Sequence, residues 1–184
     1  MQRTTTRTMV RIGLLAGAGL ILTLLEFPIL PSAPFLKYDA SEVPALLATF
    51  GMGPAAGVAT EALKCVLFHF SGKNTTGIVG TSAMFVAGGT LVLVAGVVYS
   101  YKRSIAGAVT SLLAATVTMT AVMSLANLYV FLPLWGIPPA LRAGLVMTAV
   151  LPFNLLKGLI SAAITFFLYK RVSPLFKGKA VATR

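Results

Sequence analysis

The feature that most constrains this chain is a series of long apolar runs separated by short polar connections. A helix needs about 20 apolar residues to cross a bilayer. With 57% hydrophobic and only 10% charged residues, the chain has too little polar surface for a water-soluble globule. The sequence therefore predicts an all-α integral membrane protein whose functional groups lie among the helices. The runs fall at about residues 9–30, 43–70, 78–101, 104–134 and 143–169.

The second run decides the number of helices. It contains Gly-Met-Gly-Pro at positions 51–54. A glycine followed by a proline is typical of the end of one helix and the first turn of the next. We therefore expect a short helix at 41–50 and a longer one at 54–70, which gives six transmembrane helices in all. Ten residues rise only about 15 Å, so the short helix 2 has to be shielded by its neighbours.

The basic residues support six passes, because cytoplasmic loops are enriched in Lys and Arg. With both termini in the cytoplasm, ten basic residues lie inside and three outside. Five passes would place five inside and eight outside. The net charge of +11 thus indicates topology and not nucleic-acid binding. We expect one six-helix transmembrane domain at 1–172, followed by a short basic cytoplasmic tail at 173–184.

Polar side chains within the apolar runs are candidates for function, because a charge near the bilayer centre costs at least about 2.5–3.5 kcal/mol. Glu61 and Lys64 share a helix face and can pair. Asn154 and Lys157 follow Pro152, which favours a kink. Lys157 has no acidic residue in its own helix, so its partner is Glu61, Asp39, water or an acceptor-rich ligand. Asn127 serves either as a helix-helix contact or as a ligand contact.

Several chemistries lack a sequence signal. There is no Gly-x-x-x-x-Gly-Lys-Ser/Thr nucleotide loop, and no His, Cys or carboxylate cluster has the spacing of metal ligands. The single histidine, His69, offers no catalytic triad. The single cysteine, Cys65, lies in apolar sequence and is expected to be a small buried residue. No residue set therefore names an enzyme or a metal site, and the sequence alone leaves a membrane enzyme open.

Three motifs occur in the order of one known family. They are Phe-Leu-Lys-Tyr-Asp-x-Ser-x-x-Pro at 35–44, Gly-Pro-x-x-Gly-Val at 53–58 and Pro-Phe-Asn-x-x-Lys-Gly at 152–158. With Lys64 between the second and the third, these motifs resemble those of the riboflavin-binding S component of energy-coupling factor (ECF) transporters, over nearly the whole chain.

The resemblance implies a vitamin-binding subunit in a prokaryotic cell membrane, with its site near the outer face under the loop joining helices 1 and 2. Asn127, Asn154 and Lys157 would hydrogen-bond the polar edge of the isoalloxazine ring. The residues that would cover the ligand are Leu36, Lys37, Tyr38 and Asp39, and further candidates for ring contact are Phe35, Met84 and Phe85.

The resemblance also implies partners. A separate transmembrane coupling subunit and two cytoplasmic ATPases would complete the transporter, which accounts for the missing nucleotide loop. Riboflavin would be the transported substrate and not a cofactor. Small residues on helix 1 are the candidates for contact with the coupling subunit, namely Gly13, Ala16 and Gly17.

Two alternatives stay open from the sequence. One is an S component for a different vitamin, such as thiamine or biotin. The other is a membrane enzyme or assembly subunit in which the polar residues hold helices together and bind no ligand.

Overall fold

The computed structural model describes residues 2–176, with side chains described for residues 5–169. Over this range the chain forms six helices. The last one extends into the predicted tail, of which residues 177–184 lie outside the described residues. The helices are α1 (Gln2–Thr23), α2 (Glu42–Met52), α3 (Pro54–His69), α4 (Gly77–Tyr101), α5 (Ile105–Leu134) and α6, which begins at Pro139 and ends at Phe176.

The prediction of six helices with a short helix 2 is confirmed. Four of the described helices, α1, α4, α5 and α6, are long and apolar enough to span a membrane. The 11-residue α2 contacts α1, α3, α4 and α6, and every residue from 41 to 50 is buried. Its backbone and side chains are therefore shielded by protein, as a half-helix at membrane depth requires.

The break inside the second apolar run lies at Gly53, between the end of α2 and the start of α3. Gly53 has a φ of +104°, a conformation that glycine adopts without strain. Pro54 then occupies the first turn of α3, where its missing N–H costs no hydrogen bond. The two residues reverse the chain direction within a single step.

Helix α1 ends inside the first apolar run. The run reaches residue 30, whereas the helix ends at Thr23. Beyond it, Phe27–Pro28 pairs antiparallel with Lys37–Tyr38 in a two-stranded sheet. Apolar residues 24–30 thus belong to an ordered connection, residues 24–41, which we call the α1–α2 loop. Hydropathy alone cannot separate such a segment from a helix, because both are apolar.

Helices α5 and α6 each contain a π-helical turn before a proline. Asn127–Phe131 precedes Pro133, and Val146–Val150 precedes Pro152. Proline donates no backbone hydrogen bond, and a π turn is one way for a helix to accommodate that loss. The kink expected at Pro152 is thus a widened turn just upstream. The two π turns lie against each other.

The main apolar core lies between α2, α4 and α5. Leu46 and Phe50 of α2 pack with Leu91 of α4 and Met119 of α5. Close helix packing depends on small residues. On α6, a Cβ built on Gly158 would lie 2.5 Å from Cγ2 of Thr116, so only glycine allows this approach to α5. The core fixes the relative positions of the helices that carry the polar groups.

Candidate functional site

Five charged side chains from four parts of the chain meet inside the helix bundle. We call them the charged cluster. None exposes more than 8% of its surface, and the two innermost expose none. Burial of this many charges is tolerated only when they are paired. The cluster consists of Asp39 from the α1–α2 loop, Glu42 from α2, Glu61 and Lys64 from α3, and Lys157 from α6.

Lys64 is surrounded by acceptors. Its Nζ lies 2.7 Å from Oε1 of Glu61, which confirms the predicted pair on α3. It also donates to Oγ of Ser41 at 2.9 Å and lies 3.9 Å from Oε1 of Glu42. Ser41 occupies the N-cap position of α2, but its hydroxyl makes no capping bond there and serves Lys64 instead.

Lys157 bridges the α1–α2 loop and α2. Its Nζ lies 2.9 Å from Oε1 of Glu42 and 3.4 Å from Oδ2 of Asp39. Of the partners left open by the sequence, the structure shows Asp39. The sequence reasoning missed Glu42. The signal was present, because Glu42 is one of only four acidic residues in the chain and stands in the first turn of the shielded half-helix.

The α1–α2 loop is held by its own polar groups. Oδ1 of Asp39 accepts a hydrogen bond from the backbone N–H of Ser41 at 2.9 Å. Burial alone would raise the pKa of Asp39, but the nearby charges of Lys157 and Lys64 and the bond from Ser41 lower it below its usual range. Asp39 is therefore ionised at neutral pH and can pair with Lys157.

Tyr38 ties the same loop to α6. It exposes 3% of its surface, and its hydroxyl lies 3.5 Å from Oγ of Ser161, one turn beyond Lys157. Burial raises the pKa of Tyr38, so the phenol stays neutral. Its ring stands at 71° to the ring of Phe27, with the centroids 5.6 Å apart. The aromatic residue thus lies directly over the polar face of α6.

The two predicted asparagines are buried and bonded to their own helices. Nδ2 of Asn127 donates to the carbonyl of Met123, and Nδ2 of Asn154 donates to the carbonyl of Val150, each at 2.8 Å. A carboxamide has a second N–H and an oxygen with two lone pairs, so one such bond leaves most of its capacity for a ligand. Asn127 is the first residue of the π turn of α5, and Asn154 follows the π turn of α6 by one helical turn; the two π turns are in contact.

The other predicted ligand contacts are more peripheral. Leu36 is half-buried, whereas Lys37 is exposed and pairs with Glu26 of the same loop. Phe35 exposes 65% of its surface. On α4, Met84 is half-buried and Phe85 is exposed. The structure thus brings Tyr38, Asp39 and Lys157 together, and leaves Phe35 and Phe85 facing outward.

The small residues of α1 divide between two faces. Ala16 exposes no surface, so it packs inside the bundle and presents nothing to a partner. A Cβ built on Gly13 or Gly17 would meet nothing within 4 Å, so these two positions face open space. Of the three small residues, only these two glycines face away from the bundle.

The site combines a few hydrogen-bond donors with apolar walls. It offers the ammonium of Lys157 against the loop, the phenol of Tyr38 from the loop itself, and the carboxamides of Asn127 and Asn154 on α5 and α6, in a bundle that is otherwise largely apolar. Such an arrangement suits a ligand with an edge of acceptors and a broad apolar face. Within residues 2–176, no group of three or more His, Cys, Asp or Glu residues is arranged to hold a metal ion. Cys65 is buried beside Glu61.

Comparison with known proteins gives a consistent family. The family model described as the ECF transporter substrate-specific component matches residues 7–169. The riboflavin transporter RibU of Staphylococcus aureus is 34% identical over 93% of this chain and 93% of that protein. The riboflavin transporter FmnP of Bacillus subtilis is 34% identical over 91% of this chain and 93% of that protein.

A solved structure agrees in fold. The S component of a bacterial ECF transporter superposes with a TM-score of 0.81 at 35% identity. The match covers 94% of this chain and 99% of that one. The likeness therefore extends over the whole bundle.

Proposed function

The chain belongs to the family of ECF transporter substrate-specific components, and from that premise we propose that it binds riboflavin and mediates its uptake with an energy-coupling module. It is a multi-pass protein of the bacterial cell membrane. Its relatives are transporter components and not enzymes. Riboflavin is the substrate that both of the relatives at 34% identity are named for.

One observation in this chain carries the proposal of the site. Lys157 and Asn154, the two polar residues of the motif at 152–158, lie on the buried face of α6, and the loop that carries Tyr38 and Asp39 closes over Lys157. The isoalloxazine ring has carbonyl and ring-nitrogen acceptors along one edge. Lys157, Asn154 and Asn127 supply the matching donors.

The charge distribution supports an orientation for the proposed site. With both termini in the cytoplasm, the α1–α2 loop lies on the outer side, where the vitamin arrives. Substrate then enters from outside between the loop and the donors of α5 and α6. Riboflavin is thus cargo and not a resident cofactor.

The proposal includes partners that hydrolyse ATP. The chain has no nucleotide-binding loop of its own, so ATP hydrolysis belongs to two cytoplasmic ATPases joined through a transmembrane coupling subunit. Gly13 and Gly17 are the positions where another helix can approach α1 closely. Contacts at these two glycines would form in the assembled transporter.

Riboflavin titration of the purified protein in detergent tests the proposal. Trp135 directly follows α5 and lies 6.3 Å from Phe131 between ring centroids, so its emission reports on the end of the helix that carries Asn127. We expect saturable one-to-one quenching. A buried charged hydrogen bond contributes about 1.5–3 kcal/mol, so Lys157→Met should weaken binding roughly tenfold to a hundredfold.

Lys73→Met is the matched control, because Lys73 is an exposed lysine in the α3–α4 connection. It should bind riboflavin as the wild type does. Thiamine and biotin are the competitors to include. Displacement of riboflavin by either, or wild-type affinity in Lys157→Met, would contradict the proposed substrate or the proposed site.

A further inference from the structure

We infer that Glu42 is a positioning residue for substrate binding, whose carboxylate fixes the Lys157 ammonium beneath the α1–α2 loop. The inference rests on the proposed function, because it states how the substrate-binding lysine is held. Glu42 is outside the set of residues predicted to touch riboflavin. Its effect on the substrate would pass through Lys157.

Glu42 is a fixed point in the bundle. It stands in the first turn of α2 and exposes 1% of its surface. Because α2 is wedged among four other helices, its first turn has little freedom to move. A carboxylate at a helix N-terminus is also favoured by the helix dipole. The Glu42 carboxylate, the group nearest to the Lys157 ammonium, is therefore held in place by the packing of α2.

One oxygen of Glu42 faces two lysines from two different helices. Oε1 lies 2.9 Å from Nζ of Lys157 on α6 and 3.9 Å from Nζ of Lys64 on α3. The contact of Lys157 with Asp39 is longer, at 3.4 Å, and Asp39 belongs to a loop. Glu42 is thus the closer and the more rigid of the two partners of Lys157.

The two lysines of the cluster have different surroundings. Lys64 exposes no surface and has three acceptors within 3.9 Å. Lys157 exposes 8%, the most of any cluster member, and lies near two carboxylates. An ammonium has three N–H donors, so Lys157 keeps a donor for substrate. Glu42 thus lies between the two lysines, with Oε1 3.9 Å from Nζ of Lys64 and 2.9 Å from Nζ of Lys157.

The charge count of the cluster argues against a purely stabilising role for Glu42. Asp39 and Glu61 already balance the two lysines, so Glu42 adds an excess negative charge to a buried site. Both of its carboxylate oxygens are buried without a hydrogen-bond partner, so Oε1 interacts with the two lysines as a charge. Buried ion pairs contribute little net stability compared with apolar residues of the same size. A carboxylate at this position is better explained by the placement of the Lys157 ammonium than by stability.

A double-mutant cycle tests the inference. Riboflavin dissociation constants are measured for the wild type, E42Q, K157M and E42Q/K157M, each purified in detergent. Loss of a charge partner 2.9 Å from the Lys157 ammonium predicts roughly tenfold to a hundredfold weaker binding in E42Q. If Glu42 acts through Lys157, the same change has no effect in the K157M background. A merely structural role would lower thermal stability without this dependence of affinity on Lys157.

Glu26→Gln is the matched control, because it is the same change at an exposed ion pair of the α1–α2 loop. It should leave riboflavin affinity unchanged. Should E42Q fail to fold, Glu42→Asp takes its place in the cycle, since it withdraws the carboxylate by one methylene and should give the same Lys157-dependent loss.

The outcomes separate the inference from the function on which it rests. Riboflavin binding by the wild type, with equal losses from E42Q in both backgrounds, would overturn the role of Glu42 and leave the function standing. Wild-type affinity in E42Q would do the same. Failure of the folded wild type to bind riboflavin would overturn both.

Discussion

Replacing Gly88 by alanine should break the ion pair between Glu61 and Lys64, the two fully buried members of the charged cluster. Gly88 lies on α4, opposite Glu61 of α3. A Cβ built on it would lie 2.1 Å from Oε1 and 2.4 Å from Cδ of the Glu61 carboxylate. Contacts this short cannot exist, so the carboxylate must move. Because Glu61 exposes no surface, it has no solvent to move into and must leave its 2.7 Å contact with Lys64.

The expected magnitude follows from two opposing effects. Loss of a charged hydrogen bond costs about 1.5–3 kcal/mol, and Lys64 keeps Ser41 and Glu42 as partners. Alanine gains up to about 1 kcal/mol over glycine in a helix. We therefore expect Gly88→Ala to lower the free energy of unfolding by about 1–2 kcal/mol.

The adjacent Gly89 supplies the control. A Cβ there would meet only the Phe85 ring, at 3.7 Å, which is an ordinary contact. Gly89→Ala should therefore be neutral or more stable by up to about 1 kcal/mol. Unfolding of both variants in detergent with increasing sodium dodecyl sulfate, followed by Trp135 emission, measures the difference. Equal stability of the two variants would refute the claim that Glu61 is confined by α4.

The charged cluster leads to two more expectations. Removal of one partner of a buried ion pair costs about 3–5 kcal/mol, whereas removal of both is far less costly. Lys64→Met should therefore lower the free energy of unfolding more than Glu61→Gln/Lys64→Met does. The same unfolding assay checks this, and equal free energies of unfolding in the two variants would contradict the pairing. The pKa of Asp39 lies below its ordinary 3.8, so its pairing with Lys157 should stabilise the protein fully above pH 3.8. This stabilisation should be lost as the pH falls below 3.8 and through the lowered pKa. Thermal unfolding across pH 3–8 checks this, and Asp39→Asn should remove that acid step; an Asp39-dependent loss between about pH 5 and 6 would show that the carboxyl is not stabilised as a charge.

The helices and the pair on α3 were accessible from the sequence because they depend on neighbouring residues. Apolar runs predict membrane helices, and the Gly53–Pro54 step ends one helix and starts another through backbone geometry alone. Glu61 and Lys64 lie three residues apart, so the helix itself places them together. Lys157 was also identified, since a lysine without a local acidic partner in an apolar helix needs a partner from elsewhere.

The sequence did not predict the features that depend on contacts between distant segments. Residues 24–30 are apolar apart from Glu26, so hydropathy does not mark the end of α1 at Thr23, and residues 27–28 pair with the strand at 37–38. The π turns before Pro133 and Pro152 arise where a helix adapts to both its proline and its neighbour. Ala16 is small enough for close contact with another helix, but its side chain is buried inside the bundle.

The amino-acid sequence by itself determined that this chain is a bundle of six membrane helices with polar groups inside, because hydrophobic length and turn geometry are local properties. Only the tertiary structure decided which polar groups meet. Glu42 and Lys157 are far apart in the chain yet 2.9 Å apart in space. That distance depends on how α2, α3 and α6 pack, and on where a glycine such as Gly88 leaves room for a carboxylate.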